Sequence, residues 1–184
     1  AATRPYAGRR RGGDRRRIGS GGRLVLSALP RETGKQRGAE EAGRLRGLHA
    51  DAFVQRMRQV RPLPGATRLL RRLTDLGVPW AIATSGSVKT ASPAIAMLDV
   101  KVPVVITRDD VAHAKPDPDL FLAAAERLGV SITHSIVVGD SVWDLLAAQR
   151  ARSLGVGLLS GGYGREELQQ AGAYRVYGVR SSAA

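Results

Sequence analysis

Three short polar stretches of the chain carry residue types that could bind or transfer an anion. The first, "ATSGS", ends an apolar run with Thr84, Ser85 and Gly86. Hydroxyl groups and freed backbone N–H groups at a strand-to-helix turn can form an anion site. The same residue types also serve as a plain helix N-cap, so this stretch alone leaves both interpretations open.

The second stretch, "AHAKPDPDLF", holds a lysine in a rigid setting. Lys115 precedes Pro116, which biases it to an extended conformation, and Pro118 falls in the first turn of the predicted helix. An ammonium group held there can neutralise a phosphate or a carboxylate. A surface lysine before a capped helix has the same pattern, so the stretch by itself does not separate the two.

The third stretch, "IVVGDSVWD", places two carboxylates just after an apolar run. Asp140 follows the run directly, and Asp144 lies four positions further on, which puts both on one face of a helix. Neighbouring carboxylates repel each other unless a cation lies between them, and Mg²⁺ prefers oxygen ligands. The alternative is that Asp140 or Ser141 caps the helix while Asp144 complements its dipole.

These stretches fall within a pattern of alternating apolar runs and helices. We predict helices over 66–76, 87–98, 117–128, 142–150 and 165–171, and strands at "VPWAIAT", "VPVVIT", "SIVVG", "LGVGLL" and "YRVY". Such alternation indicates an α/β fold, a Rossmann-like parallel sheet flanked by helices that cover both of its faces. Ligands bind such sheets at the carboxyl ends of the strands, where all three polar stretches begin.

The N-terminal part of the chain has a different character. Residues 1–22 are rich in Arg and Gly and predict an irregular segment, and residues 23–62 predict a small helical element. Within it, an apolar face at helical spacing contains Leu45, Leu48, Ala52, Phe53 and Met57. "RPLPG" at 61–65 forms a joint, and residues 63–184 form the α/β core.

Composition and charge distribution limit which classes of function we expect. The 184 residues carry a net charge of +13, but residues 61–184 contribute only +3, so the basicity belongs to the N-terminal part. Nucleic-acid binding through that part is therefore the least favoured function. The chain has no cysteine, no apolar run long enough to cross a membrane and no secretory signal pattern, so we expect a cytoplasmic protein.

Taken together, the three stretches resemble the haloacid dehalogenase superfamily, in particular its phosphoglycolate phosphatase and β-phosphoglucomutase branch. The resemblance implies that Thr84 binds the transferring phosphoryl group, with Ser85 and Gly86 beside it, and that Lys115 balances charge on the phosphate. It also implies that Asp140 and Asp144 hold Mg²⁺. Residues 23–62 would then be part of a helical cap that closes over a small phosphorylated metabolite.

The chain departs from that family at the first motif. The family has an apolar strand ending in DxDGT, whose first Asp is the nucleophile, yet the only acidic residue before residue 32 is Asp14. We therefore expect impaired catalysis and a core that lacks its first strand, with two unpaired strand edges. Such a start is more typical of a truncation or a shifted reading frame than of a selected arm. A non-catalytic protein that binds phosphorylated ligands is the alternative, and substrate identity and oligomeric state stay open.

Overall fold

The computed structural model describes residues 39–179, so the predictions for residues 1–22 and for the first part of 23–62 lie outside the described residues. Its helices are α1 (Ala39–Gln55), α2 (Ala66–Asp75), α3 (Val88–Ala96), α4 (Asp119–Leu128), α5 (Val142–Arg150) and α6 (Arg165–Gln170). Its strands are β1 (Ile82–Ala83), β2 (Val105–Ile106), β3 (Ile136–Gly139), β4 (Leu154–Leu158) and β5 (Ala173–Tyr177). The alternation of strands and helices matches the α/β prediction.

The strands form two parallel sheets. β1 pairs with β2, while β3, β4 and β5 form a three-stranded sheet in that order. Each connection between paired strands contains a helix, as parallel pairing requires. Within residues 39–179 no strand joins the two sheets, so β1 and β3 each have one edge without a strand partner.

Side chains hold the two sheets together. Phe121 on α4 packs with Val137 of β3 and with Ala147 and Ala148 of α5, and Ala83 of β1 packs against the same cluster. Two further clusters lie on either side, around Ile106, Leu120 and Ala124 and around Leu145, Leu168 and Val176. One face of α4 faces this core, since Phe121, Ala124 and Ala125 are buried.

The predicted parallel strands flanked by helices are observed, and exposure differs between the two faces of the three-stranded sheet. α5 and α6 pack on the face that carries Val137 and Val176. On the other face Ile136 is 62% exposed and Val138 53%.

Helix boundaries follow local signals with a few differences. α2 ends beside Gly77, whose φ of +66° a glycine tolerates at no cost. Pro93 does not break α3, which runs through it to Ala96. Leu48, predicted on the apolar face of the N-terminal helical element, and Leu69 of α2 are both 55% exposed. None of the helices within 39–179 combines the length and apolarity needed to cross a lipid bilayer.

Candidate functional site

The first turn of α5 is closed by a reciprocal pair of cap interactions. Ser141 is the N-cap residue, and its Oγ accepts a hydrogen bond from the backbone N–H of Asp144 at 3.3 Å. In return, Oδ2 of Asp144 accepts from the Ser141 backbone N–H at 3.1 Å and from its hydroxyl at 2.7 Å. Such a capping box satisfies N–H groups that have no partner within the helix. The cap function that the sequence left open for Ser141 is therefore realised.

The other carboxylate oxygen of Asp144 binds the predicted lysine. Lys115 Nζ donates to Asp144 Oδ1 at 2.5 Å, and both side chains are less than a tenth exposed. Burial makes an ion pair costly unless its partners are well hydrogen-bonded, and here the carboxylate accepts on both oxygens. Asp144 thus accepts hydrogen bonds on both carboxylate oxygens, while the Lys115 ammonium group keeps two N–H groups that no described residue accepts.

The segment that carries Lys115 is itself fixed. Asp119 at the start of α4 accepts from the backbone N–H of His113 at 3.0 Å, and its carboxylate contacts the His113 ring at 2.9 Å. Burial raises the pKa of Asp119, but the hydrogen bonds from His113 outweigh it, so this pKa lies below the ordinary 3.8. The Lys115–Pro116 peptide bond is cis, and Lys115 Nζ lies 5.9 Å from the centre of the Phe121 ring.

Gly139 allows the end of β3 to approach α5 closely. A Cβ atom at Gly139 would lie 2.3 Å from the Cβ atom of Asp144 and 2.7 Å from its carboxyl carbon. Real Cβ atoms essentially never approach other heavy atoms so closely. A side chain at residue 139 would therefore displace Asp144, so the glycine that precedes Asp140 is required by the ion pair.

Asp140 has a different set of contacts from Asp144. Its Oδ2 accepts a hydrogen bond from the hydroxyl of Ser160 at 3.1 Å, and its Oδ1 has no hydrogen-bond partner among the described residues. Gly161 lies against the Asp140 backbone, where a Cβ would come within 2.0 Å of the carbonyl oxygen. The loop after β4 therefore packs directly on Asp140.

The loop after β1 is held by its own contacts and by contacts with the end of β2 and the segment after it. Thr84 Oγ1 accepts from the backbone N–H of Gly86 at 3.1 Å, a turn that hydroxyl residues favour. At the start of α3, the Val88 N–H donates to Asp109 Oδ2 at 2.9 Å, so a carboxylate of the protein is already the acceptor for that amide. The hydroxyl hydrogen of Thr84 has no acceptor among the described residues, which leaves it able to donate to an anion.

The structure joins some of the predicted residues directly and others through the core. Lys115 contacts Asp144, and Asp140 lies at the end of β3 just before the cap residue of the same helix. Thr84 follows Ala83, whose side chain packs on the cluster containing Phe121, the ring beneath the Lys115 ammonium group. No described contact joins Thr84 to Lys115.

The donors that a divalent cation would need are only partly present. A carboxylate oxygen without a protein partner suits Mg²⁺, and Asp140 Oδ1 is such an atom. Both oxygens of Asp144 are already engaged. Within 39–179 no group of three acidic or histidine side chains is arranged to hold a metal ion. Asp140 therefore fits as one ligand, and Asp144 is engaged as the partner of Lys115.

Sequence reasoning missed the loop between β4 and α6. Ser160, Gly161 and Tyr163 belong to "LLSGGYG", a polar stretch at the carboxyl end of a fourth strand. The signal was the one used for the other three stretches, namely polar and glycine residues that follow an apolar run. The stretch has no charged side chain of its own, so it stands out less than the other three.

Two phosphatases are similar in sequence to part of this chain. Hexitol phosphatase A of Escherichia coli is 38% identical over 90 residues, which are 48% of this chain and 42% of that enzyme. Phosphoglycolate phosphatase of Escherichia coli is 36% identical over 100 residues, 53% of this chain and 40% of that enzyme. The chain thus spans about two fifths of the length of these two relatives.

A solved structure extends the likeness to most of the chain. The crystal structure of a hydrolase from Pseudomonas syringae matches with a TM-score of 0.86 and 47% identity, covering 90% of this chain and 76% of that one. The family profile of the haloacid dehalogenase-like hydrolases matches residues 6–152, which include the segments of Thr84, Lys115, Asp140 and Asp144. The chain belongs to the haloacid dehalogenase-like hydrolase family.

Proposed function

We propose that the chain binds the phosphate group of a small phosphorylated metabolite at the carboxyl ends of β1 and β3. The observation that carries this proposal is the buried Lys115 ammonium group, which Asp144 neutralises while two N–H groups stay available. A buried cation with free donors suits a phosphate oxygen, since charge-assisted hydrogen bonds are the strong ones. The membership of a phosphatase-containing family supports the same ligand class.

The other predicted residues take separate roles in this proposal. The Thr84 hydroxyl, followed by Ser85 and Gly86, would donate to the phosphate from the loop after β1. Asp140 would be the cation ligand, and Asp144 the residue that positions Lys115 rather than a second ligand. Mg²⁺, when bound, would neutralise charge on the phosphate oxygens. We place the activity in the cytoplasm, and residues 23–62 in a cap over the ligand.

We further propose that residues 1–184 alone turn over phosphate esters very slowly. Covalent phosphoryl transfer in this family needs a nucleophilic carboxylate, and residues 1–184 hold no DxDGT motif to supply one. The remaining residues can bind and orient the phosphate, which contributes to a rate but does not replace the nucleophile. Binding without turnover is therefore the expected behaviour.

Calorimetry and a turnover assay on the same preparation test this proposal. We expect inorganic phosphate, 2-phosphoglycolate and a hexitol phosphate to bind, and p-nitrophenyl phosphate with Mg²⁺ to be hydrolysed negligibly. Lys115→Met should abolish phosphate binding, because it removes the ammonium group and keeps the side chain's length. Lys101→Met, at an exposed lysine away from these strand ends, serves as the control and should bind as the unaltered chain does.

Two results would contradict the proposal separately. Equal phosphate binding by the unaltered chain and Lys115→Met would remove the lysine from the ligand site. Rapid hydrolysis that Asp140→Asn abolishes would show that the chain is catalytically competent and would overturn the claim of impairment.

A further inference from the structure

Residues 113–119, which carry Lys115, form a segment whose two ends are bonded to each other. Asp119 Oδ2 accepts a hydrogen bond from the backbone N–H of His113 at 3.0 Å, and Nδ1 of the His113 ring lies 2.9 Å from the same oxygen. Asp119 is the first residue of α4, so the helix fixes its backbone. The segment is therefore a closed loop, with Lys115 inside it.

The closed loop restricts where the Lys115 side chain can go. A lysine has a flexible four-carbon stem, so a buried ammonium group keeps one position only if its backbone is held as well. Here Nζ donates to Asp144 Oδ1 and lies 5.9 Å from the centre of the Phe121 ring, which belongs to α4. The bond between His113 and Asp119 ties the backbone beside Lys115 to the helix that carries this ring.

The Asp119 carboxylate is the acceptor that closes the loop. Burial raises its pKa, but the hydrogen bonds from His113 lower it by more, so this carboxylate is charged at neutral pH and is a strong acceptor. A carboxylate at the start of a helix also complements the helix dipole. That role does not require a bond to His113, which lies six residues earlier in the chain.

We propose that Asp119 is a positioning residue for Lys115. By accepting from His113 it keeps the loop closed, and the closed loop holds the Lys115 ammonium group against Asp144 with its two remaining N–H groups available. The inference rests on the proposed function in taking those N–H groups as the donors to phosphate. The role requires an acceptor oxygen at residue 119, which a methyl group does not supply.

The lysine ammonium signals in ¹H–¹⁵N correlation spectra test the inference without any ligand. The chain has four lysines, and the Lys115 signal is identified by its absence from Lys115→Met. Lys115 is buried, so its ammonium protons should exchange with water more slowly than those of the exposed Lys89. We expect Asp119→Ala to speed exchange at Lys115 by about tenfold or more, because the loop opens without its acceptor. Asp119→Asn keeps an acceptor oxygen and should restore slow exchange.

Phosphate binding by the same variants connects the loop to the ligand. Calorimetry with inorganic phosphate should show about tenfold weaker binding to Asp119→Ala and nearly unchanged binding to Asp119→Asn. The matched control is Asp117→Ala, which removes a carboxylate from the same loop. Asp117 pairs with Arg150 at 3.3 Å, and both side chains are about half exposed. This control should change neither measurement, since exposed ion pairs contribute little.

Three results would overturn the inference. They are exchange at Lys115 in Asp119→Ala that is as slow as in the unaltered chain, full phosphate affinity of that variant, and equal effects of Asp117→Ala and Asp119→Ala. A lower melting temperature of Asp119→Ala with slow exchange retained would show a purely structural role, which is the first of these results. If the unaltered chain does not bind phosphate, the proposed function fails, and the exchange rates alone then decide whether Asp119 positions Lys115.

Discussion

At the scale of single residues, Lys115 and Asp144 form the interaction on which the site depends most. Burial removes both groups from water, so each charge relies on the other, and the Asp144 carboxylate is stabilised further by Ser141. The pair joins the segment before α4 to the first turn of α5 across 29 residues of sequence. A pair of this kind is required for the local structure even if it adds little to net stability.

Removing one charge of the pair should therefore destabilise the folded state. We expect Lys115→Met to lower the free energy of unfolding by about 3–5 kcal/mol, because Asp144 is left as an uncompensated buried charge. Asp144→Asn should also be destabilising, and the double variant should lose less than the sum of the two. Urea-induced unfolding of the four proteins measures the coupling energy between them.

An exposed pair provides the control for this cycle. Lys89 and Asp51 lie 2.7 Å apart, yet both side chains are more than half exposed. The same cycle with Lys89→Met and Asp51→Asn should give a coupling energy below about 1 kcal/mol. Simple additivity at Lys115 and Asp144 would contradict the buried pair's role.

Residue spacing predicts only part of this site. The four-residue separation of Asp140 and Asp144 indicates that they share a helix face, and they do flank the start of α5. It cannot distinguish a metal ligand from the partner of a lysine, because Lys115 reaches Asp144 through the tertiary fold. The same limit applies to Ser160, whose hydrogen bond to Asp140 depends on the neighbouring strands β3 and β4.

At the scale of elements, the loop between β4 and α6 is held by the phenol ring of Tyr163. Tyr163 is 5% exposed and packs with Leu145 and Leu168. Burial raises the pKa of Tyr163 above its ordinary 10.0, the hydrogen bond with Trp143 lowers it in part, and the nearby carboxylates of Glu167, Asp144 and Asp140 raise it further. The neutral phenol is thus the form that the fold favours.

The raised pKa of Tyr163 predicts that the fold loses stability at alkaline pH. Because the unfolded chain loses the phenol proton first, the stabilisation is complete below pH 10 and is lost as the pH rises through the raised pKa. We expect stability to fall more steeply above pH 10 in the unaltered chain than in Tyr163→Phe. Urea unfolding at pH 8 and at several values above 10 measures the two slopes, and parallel slopes would contradict the assignment.

Helices are predicted from this sequence better than strands are. α5 spans Val142–Arg150 as predicted, since Ser141 caps it and its apolar residues pack on one face. By contrast, "VPWAIAT" yields only Ile82–Ala83 as strand. A strand lasts only as far as a neighbour supplies hydrogen bonds, and β1 has a single partner of two residues among those described. The local sequence contains the signals that start and end a helix. It does not show how long the neighbouring strand is, and that length decides how far a strand extends.

At the scale of the whole molecule, β3 has one edge that no strand within residues 39–179 pairs with. An unpaired strand edge is a template for pairing with another chain, and exposed apolar side chains strengthen that tendency. Ile136 and Val138 of β3 lie on one face of the three-stranded sheet, and both are more than half exposed. We therefore expect residues 1–184 to self-associate through β3.

A lysine on the edge should suppress that association. Val138→Lys places a charge on an exposed position of β3, where strand addition would bury it. Sedimentation velocity over a range of concentrations should show a larger monomer fraction than in the unaltered chain. Val78→Lys, an equally conservative change at an exposed valine outside the strands, is the control. Equal association by Val138→Lys and the unaltered chain would contradict the role of this edge.

The split between the two sheets has a consequence for how binding and folding are related. Among the described residues, no strand hydrogen bonds cross from one sheet to the other, so cohesion rests on the Phe121 cluster and on the Lys115–Asp144 pair above it. A ligand that engages Lys115 would act on the same boundary that holds the two sheets together. Ligand binding would then increase the cooperativity of unfolding. The two sheets would unfold as one unit when the ligand is bound and more independently when it is absent.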